Sequence, residues 1–352
     1  MERRVWLNHW FSTAYHIINM IREDAYFRVV GSGADAHRVY RAVCDEWHEE
    51  PPWRDGRQYV NFCLEFCASR KIDVFVPQRG LQDICGRLAD FEKAGVRVLL
   101  EADYGLVSTL NDKAATYEFF RGTKREGQAA EAAGAGETLA RHLPPYRVVN
   151  DAAGFRAAYA ELKRPDNRLC LKFSRDVGAA SFRVIDDRLE RDLALAVGAK
   201  ISYAAAERIL ANMGSFPDLM VMPYLTGREV SVDCLKNPGG DIFIPRFKSG
   251  GRLETIEYDE EIIEICENIQ KRLAFEQPYN IQFKYHDGLP YLLEINARMS
   301  GGLHLSYAGT KINIPNIAVN RLIGINKKAV WDKTGSAVSY VETPVVLSRP
   351  RR

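Results

Sequence analysis

The chain has 352 residues, long for one hydrophobic core and long enough for two or three domains. Apolar residues make up 46% and charged residues 27%, a globular balance that excludes extended disorder. Lys and Arg outnumber Asp and Glu by only 48 to 46, so no bulk field favours nucleic acid or a membrane surface, and neither partner is expected. Met1-Glu2-Arg3-Arg4 lacks the apolar stretch of a secretory signal, and no run approaches the length of a bilayer span. The seven cysteines are scattered and odd in number. Cys63 and Cys67 sit four apart, which suits the buried face of a helix better than a metal clip. A reducing cytoplasm is the expected location.

Arg4 to Asn8 is a short apolar run, and Phe11 to Arg22 has helical periodicity. Phe27 to Gly33 reads as a strand running into a tight turn, because Gly31-Ser32-Gly33 lacks the third glycine of a nucleotide-binding turn. Tyr59 to Ser69 is amphipathic, Ile72 to Pro77 is a strand stopped by proline, Leu81 to Ala94 is helical, and Val96 to Leu100 is another strand. This alternation predicts an open parallel α/β sheet with helices on both faces. Pro77-Gln78-Arg79-Gly80 follows a strand's carboxyl end, where such sheets place ligands. Arg79 is accordingly a candidate for binding an anionic substrate.

Asn111-Asp112-Lys113 opens a helix through Phe120, with Asn111 or Asp112 as its N-cap. The stretch from 122 to 137 predicts a helix with a mobile joint, and Pro144-Pro145 marks a boundary. The pattern beyond it predicts a small α+β module with antiparallel strands: a helix over Ala152 to Leu162 and strands at Arg168–Phe173, Ser181–Ile185 and Leu219–Pro223. Lys172 ends an apolar strand, where desolvation is costly unless an anion meets the charge. The small-residue loop Ser174 to Ser181, with Gly178 and Ala179, leaves backbone N–H groups free to approach phosphate oxygens. A surface hairpin with a snorkelling lysine is the plain alternative. Met222 to Glu229 forms a bend between two strands, able to show backbone groups to an adenine edge while Glu229 accepts from ribose hydroxyls. A solvated hairpin connection is the alternative there.

Near the end, Asn280-Ile281-Gln282-Phe283 and Leu293-Glu294-Ile295-Asn296-Ala297-Arg298 read as two adjacent strands, with Asp287-Gly288 as the hairpin tip. Strand alternation lets Gln282, Glu294, Asn296 and Arg298 share one face. Three oxygen-bearing side chains beside a guanidinium suit a hard divalent cation that holds a polyphosphate.

The series Lys113, Lys172 with its loop, Met222 to Glu229, Gln282, Glu294-x-Asn296-x-Arg298 and Ser300-Gly301-Gly302 resembles the ATP-grasp superfamily over about residues 100–325. The branch it resembles holds carbamoyl-phosphate synthase large chains, biotin carboxylase and carboxylate–amine ligases. The resemblance implies an α/β and α+β architecture. A pre-grasp domain would cover 1–110 and a grasp domain 111–345, with a mobile lid at about 146–225. It implies that Lys113 and Lys172 contact ATP phosphates under the Ser174–Ser181 loop. Pro223, Tyr224 and Leu225 would read adenine, with the Pro223 carbonyl and Leu225 N–H as the reading groups, and Glu229 would hold ribose. Gln282, Glu294 and Asn296 would bind one or two Mg²⁺ ions, with Mn²⁺ as an alternative. Arg298 would face the transferred phosphoryl group, making it and Lys172 the catalytic pair. Arg246 and Arg252, in the basic segment Ile244 to Arg252, would grip the acid, unless that loop is merely solvated. Ser300, Gly301, Gly302 and His304 would border the acceptor pocket. The implied partners are a small-molecule carboxylate and an amine, in a protein that is often a homodimer. Two alternatives remain: a small-acid-phosphorylating enzyme like carbamoyl-phosphate synthase, or a non-catalytic ATP-binding subunit. Two departures stand out: the lid loop is poor in glycine, and Met222 stands where many members have glutamate.

Overall fold

The computed structural model describes residues 2–34, 38–52, 54–122, 139–176, 180–190 and 198–347. Gly178, Ala179, the tail from Ser348 and all but the first residue of the expected joint lie outside these. The chain divides into two compact units. The first comprises residues 1–108, 229–282 and 295–352, the second 109–228 and 283–294.

The first unit opens with alternating strands and helices: Arg3–Leu7 (β1), Ala14–Ile21 (α1), Phe27–Gly33 (β2), Glu46–Glu49 (β3), Gly56–Arg70 (α2), Val74–Val76 (β4), Leu81–Cys85 (α3), Leu88–Lys93 (α4) and Arg97–Val98 (β5). The strands form a parallel sheet in the order β3-β2-β1-β4-β5. Its faces follow from strand alternation. Val5 and Leu7 pack with Ile17 and Ile18 of α1, whereas Trp6 packs with Val60 and Phe66 of α2 and stacks on Phe75 at 4.1 Å.

Two expectations change here. Gly31-Ser32-Gly33 is strand rather than turn, because β3 pairs alongside it with Gly31 opposite Trp47. A Cβ on Gly31 would lie 2.3 Å from the Cys44 sulfur, so glycine admits the neighbouring segment. The helix predicted over Leu81 to Ala94 is two helices, broken at Gly86 and Arg87.

The second unit contains Lys113–Arg121 (α6, after α5 at Tyr104–Leu110), Arg147–Asp151 (β6), Ala152–Leu162 (α7), Leu169–Phe173 (β7), Arg183–Ile185 (β8), Lys200–Ile201 (β9), Tyr203–Met213 (α8) and Ser215–Pro223 (β10). The sheet runs β6-β10-β7-β8-β9, antiparallel except between β8 and β9. Phe155, Leu162, Leu210, Leu219 and Val221 fill the space between its helices and the sheet.

A third sheet runs β15-β14-β11-β12-β13-β16, built from Glu229–Leu235 (β11), Ile242–Lys248 (β12), Glu254–Ile256 (β13), Tyr279–His286 (β14), Leu289–Asn296 (β15) and Ser336–Val338 (β16). Asp287 and Gly288 join β14 to β15 with φ of 50° and 78°, the paired positive angles of a type I′ hairpin. The remaining helices are Glu260–Leu273 (α9), Leu303–Thr310 (α10) and Ile314–Leu322 (α11). Ile314, Ile317 and Ala318 of α11 share a core with Ile17 and Ile18 of α1. Beside that core, Asn313, Asn316 and Asn320 donate to Met20 O, Ile21 O and Asp24 at 2.9, 3.2 and 2.8 Å, satisfying the end of α1. All seven cysteines are free thiols, and among the described residues no helix is long and apolar enough to cross a membrane.

Candidate functional site

In the second unit, the site grows from the start of α6. Asp112 caps the helix by accepting from Ala115 N–H at 3.1 Å. Ser174, one residue past β7, ties the strand to that cap. Its carbonyl accepts from Lys113 N–H at 3.0 Å, and its hydroxyl accepts from Ala114 N–H at 3.0 Å while donating to Asp112. Ser174 is therefore buried and anchors the strand end, a structural task beyond the phosphate contact expected of it. Asp112, which sequence reasoning treated only as a cap, is the hub of this junction. Its second oxygen accepts from Arg175 at 3.0 Å.

The Lys113 ammonium donates to the Asp176 carbonyl at 2.9 Å and lies 3.4 Å from Glu294 Oε2. The Asp176 carboxylate in turn accepts from Ser181 N–H and Oγ–H at 2.7 and 2.6 Å. Lys172 is 9% exposed. Burial pulls its pKa from 10.5 down to about 8, with the Lys113 charge adding to the effect. Lys113, Lys172 and Glu294, named from sequence as phosphate and metal residues, are thus brought together. A pocket of about 430 Å³ nearby is lined in part by Asp112, Glu118, Arg121 and Tyr146, and neither lysine lines it.

At the end of β10, Tyr224 N–H donates to the Arg168 carbonyl at 2.8 Å, and Leu225 is buried. The Tyr224 ring lies under the Arg168 guanidinium at 5.0 Å and the Lys284 ammonium at 5.9 Å. Neither cation was singled out from sequence, since each occupies an ordinary strand position there. The bend continues through Gly227, whose N–H donates to Tyr285 O at 2.9 Å; a Cβ would sit 2.5 Å from that oxygen.

The first unit holds most of the other named residues, while Phe283 and Glu294 of the hairpin belong to the second. On the hairpin strands, Ile281, Phe283 and Ile295 are buried while Gln282, Glu294 and Asn296 alternate with them and remain partly exposed. Gln282 Nε2 donates to Asn280 Oδ1 at 3.4 Å. Arg298 donates to the Met299 carbonyl at 3.0 Å, and its guanidinium is 5.8 Å from the Phe11 ring. Glu229 pairs with Lys248. Arg79 lies 3.8 Å from Glu50, and its loop is fixed by Asn8, whose Oδ1 accepts from Gln78 N–H at 2.6 Å. Arg252 pairs with Glu342 and covers the Tyr340 ring at 5.3 Å. His304 stacks on His16 with ring centres 4.1 Å apart, and burial pushes its pKa down to about 4, so it is neutral at pH 7.

Arg246 differs most from expectation. It is 2% exposed and faces inward, donating to Asp233 at 3.1 Å, Ser231 at 3.2 Å and Ser300 at 3.1 Å, and pairing with Glu254.

Among the described residues, no three His, Cys, Asp or Glu side chains cluster as a self-sufficient metal cage. Glu294 of the second unit offers one carboxylate, and Gln282 and Asn296 of the first unit each offer an amide oxygen; Mg²⁺ is ordinarily held by one or two carboxylates, with phosphate oxygens and water completing its shell. A buried lysine beside a second lysine is in turn a site that an anion stabilises.

A family described as "ATP-grasp in the biosynthetic pathway with Ter operon" matches residues 215–344. The arginine-specific large chain of carbamoyl phosphate synthase from Geobacillus stearothermophilus is 22% identical over 351 residues, 95% of this chain; this chain spans only 30% of that protein. Among solved structures, the biotin carboxylase domain of the Hydrogenobacter thermophilus 2-oxoglutarate carboxylase, in complex with MgADP, ADP and bicarbonate, superposes with a TM-score of 0.66 at 15% identity, covering 96% of this chain and 74% of that one. The L-amino acid ligase from Bacillus licheniformis gives 0.62 at 13% identity, covering 92% and 75%.

Proposed function

We propose that this chain, a member of the ATP-grasp superfamily, is an ATP- and Mg²⁺-dependent ligase that activates a small-molecule carboxylate for attack by an amine. The observation that carries the reading is the Lys113–Glu294–Lys172 group of the second unit. It gathers two cations, one of them desolvated, around a single carboxylate.

A carboxylate is a poor electrophile because its leaving group would be oxide. In the proposed reaction a carboxylate oxygen attacks the γ-phosphorus of ATP and ADP departs. The amine nitrogen then attacks the acyl carbon, phosphate leaves, and the nitrogen gives up a proton. Such chemistry asks the protein mainly for positioning and charge neutralisation. Lys113 and Lys172 would hold the phosphates, and Arg298 would offer a forked donor to the transferred group. Gln282, Glu294 and Asn296 would hold Mg²⁺, which supplies further neutralisation of phosphate charge. The segment Pro223 to Leu225 and Glu229 would bind adenine and ribose.

A second reading, phosphorylation of a small acid such as bicarbonate, draws support from the carbamoyl phosphate synthase relationship along nearly the whole chain. One experiment separates them: ADP release is measured with pooled carboxylic acids plus amino acids, and separately with bicarbonate plus ammonia. ADP formation that requires both an organic acid and an amine supports the ligase. Release with bicarbonate alone favours the second reading. If ATP binds, no mixture promotes ADP formation and Glu294→Ala leaves binding unchanged, both are wrong and a non-catalytic nucleotide-binding role stands.

A further inference from the structure

Arg246 was expected to meet substrate, yet among the described residues its hydrogen bonds and ion pairs lie inside the first unit. Its Nε donates to Asp233 at 3.1 Å, and one terminal nitrogen donates to both Ser231 and Ser300 at 3.2 and 3.1 Å. The other terminal nitrogen pairs with Glu254. Asp233 is itself fully buried and accepts from Ser306 at 2.6 Å and Asn280 at 3.1 Å. One guanidinium therefore links strands β11, β12 and β13 to the turn that follows β15.

Gly302 explains why that turn is glycine-rich. Its φ is −90°, a value open to any residue, so conformation does not demand glycine. Space does. A Cβ there would lie 2.4 to 2.7 Å from three atoms of the Arg246 guanidinium. Gly302 is the N-cap of α10, and its carbonyl accepts from Leu305 N–H at 2.8 Å, so the contact also sets the start of that helix.

We infer that Arg246 is a positioning residue: it seats the Ser300–Gly302 turn against the sheet and thereby sets Arg298, two residues before Ser300, rather than gripping the acid. The role assigned to Arg298 rests on the ligase reading; the seating of the turn does not. Lysine cannot reproduce four contacts made by a planar fork, so Arg246→Lys keeps the charge and loses the seating. Ser300→Ala removes only the turn's own acceptor and leaves the Asp233–Arg246–Glu254 cluster whole, which keeps the test available should Arg246→Lys fold poorly.

Amide hydrogen exchange on the full chain reads the seating without turnover. Both variants should speed exchange at Leu303, His304 and Leu305 by tenfold or more, with protection in β1 and β2 unchanged. Turnover then reads the consequence for Arg298. With whichever acid supports ADP release, Arg246→Lys should lower kcat about tenfold and leave KM for the acid within twofold. Combined with Arg298→Ala, it should add little further loss, because both act through one guanidinium. Unchanged exchange in both variants overturns the inference, as does a raised KM for the acid at unaltered kcat. Absence of ADP formation by the unaltered protein defeats the ligase reading alone, leaving the exchange result to decide where the turn is held.

Discussion

Lys172 lies in β7 with 9% of its surface exposed, and its folded pKa of about 8 stands below the 10.5 of an ordinary lysine. The unfolded chain therefore binds more protons between those two values, and this group's contribution to stability rises with pH across that window. At 1.36 kcal/mol per pH unit the full effect is about 3 kcal/mol. Urea midpoints measured from pH 8 to 10.5 should climb less in Lys172→Met than in the unaltered protein; parallel curves would show that the lysine is not desolvated. A polyphosphate beside the ammonium restores the proton. MgADP binding at pH 8.5 should accordingly take up a proton, seen in calorimetry as a heat that varies with the buffer's ionisation enthalpy. Glu294 is the neighbouring lever, since its carboxylate already attracts the Lys113 ammonium at 3.4 Å. Glu294→Gln should weaken MgADP binding tenfold or more while changing the affinity for metal-free ADP less. Equal losses for the two ligands would remove Glu294 from the metal set.

Among the elements, α11 shows how polar side chains can fasten a helix into a core. Asn316 is 3% exposed and donates to the Ile21 carbonyl at 3.2 Å and to Asp24 at 2.8 Å. Asn316→Leu takes this donor from the Ile21 carbonyl and one of several from Asp24, which keeps Asn320 and Lys327, and a loss of about 2 kcal/mol is expected in chemical denaturation. A change below 0.5 kcal/mol would mean that water replaces the amide. This contact was not legible in the sequence, because its partners Ile21 and Asp24 lie 295 and 292 residues away along the chain. Helices such as Ala152–Leu162 were legible to the residue because an N-cap and apolar spacing lie close together in the chain. So was the Asp287-Gly288 hairpin, whose turn chemistry is local. Glu46–Glu49 was not, since four mostly polar residues become a strand only through pairing with β2. Arg246 shows the same limit at the site: cation spacing suggested exposure, and only the tertiary fold sets Asp233 and Glu254 around it.

At the scale of the whole molecule, the first unit closes late in the chain. Its larger core combines Val5 and Leu7 with Leu303, Ile314, Ile317 and Val338. A chain stopped after Gly302 leaves that apolar surface open. It should lose cooperative thermal unfolding of the unit and bind a hydrophobic dye; a retained sharp transition would show that the N-terminal sheet is stable alone. Division of the chain carries a further consequence for anyone exchanging parts between relatives. The polypeptide passes from one unit to the other at 108/109, 228/229, 282/283 and 294/295. A graft of 109–228 by itself would arrive without the β-ribbon tip at 283–294. It would leave Gly227 without its Tyr285 acceptor and Lys113 without Glu294. A working chimera must carry both pieces from the same donor.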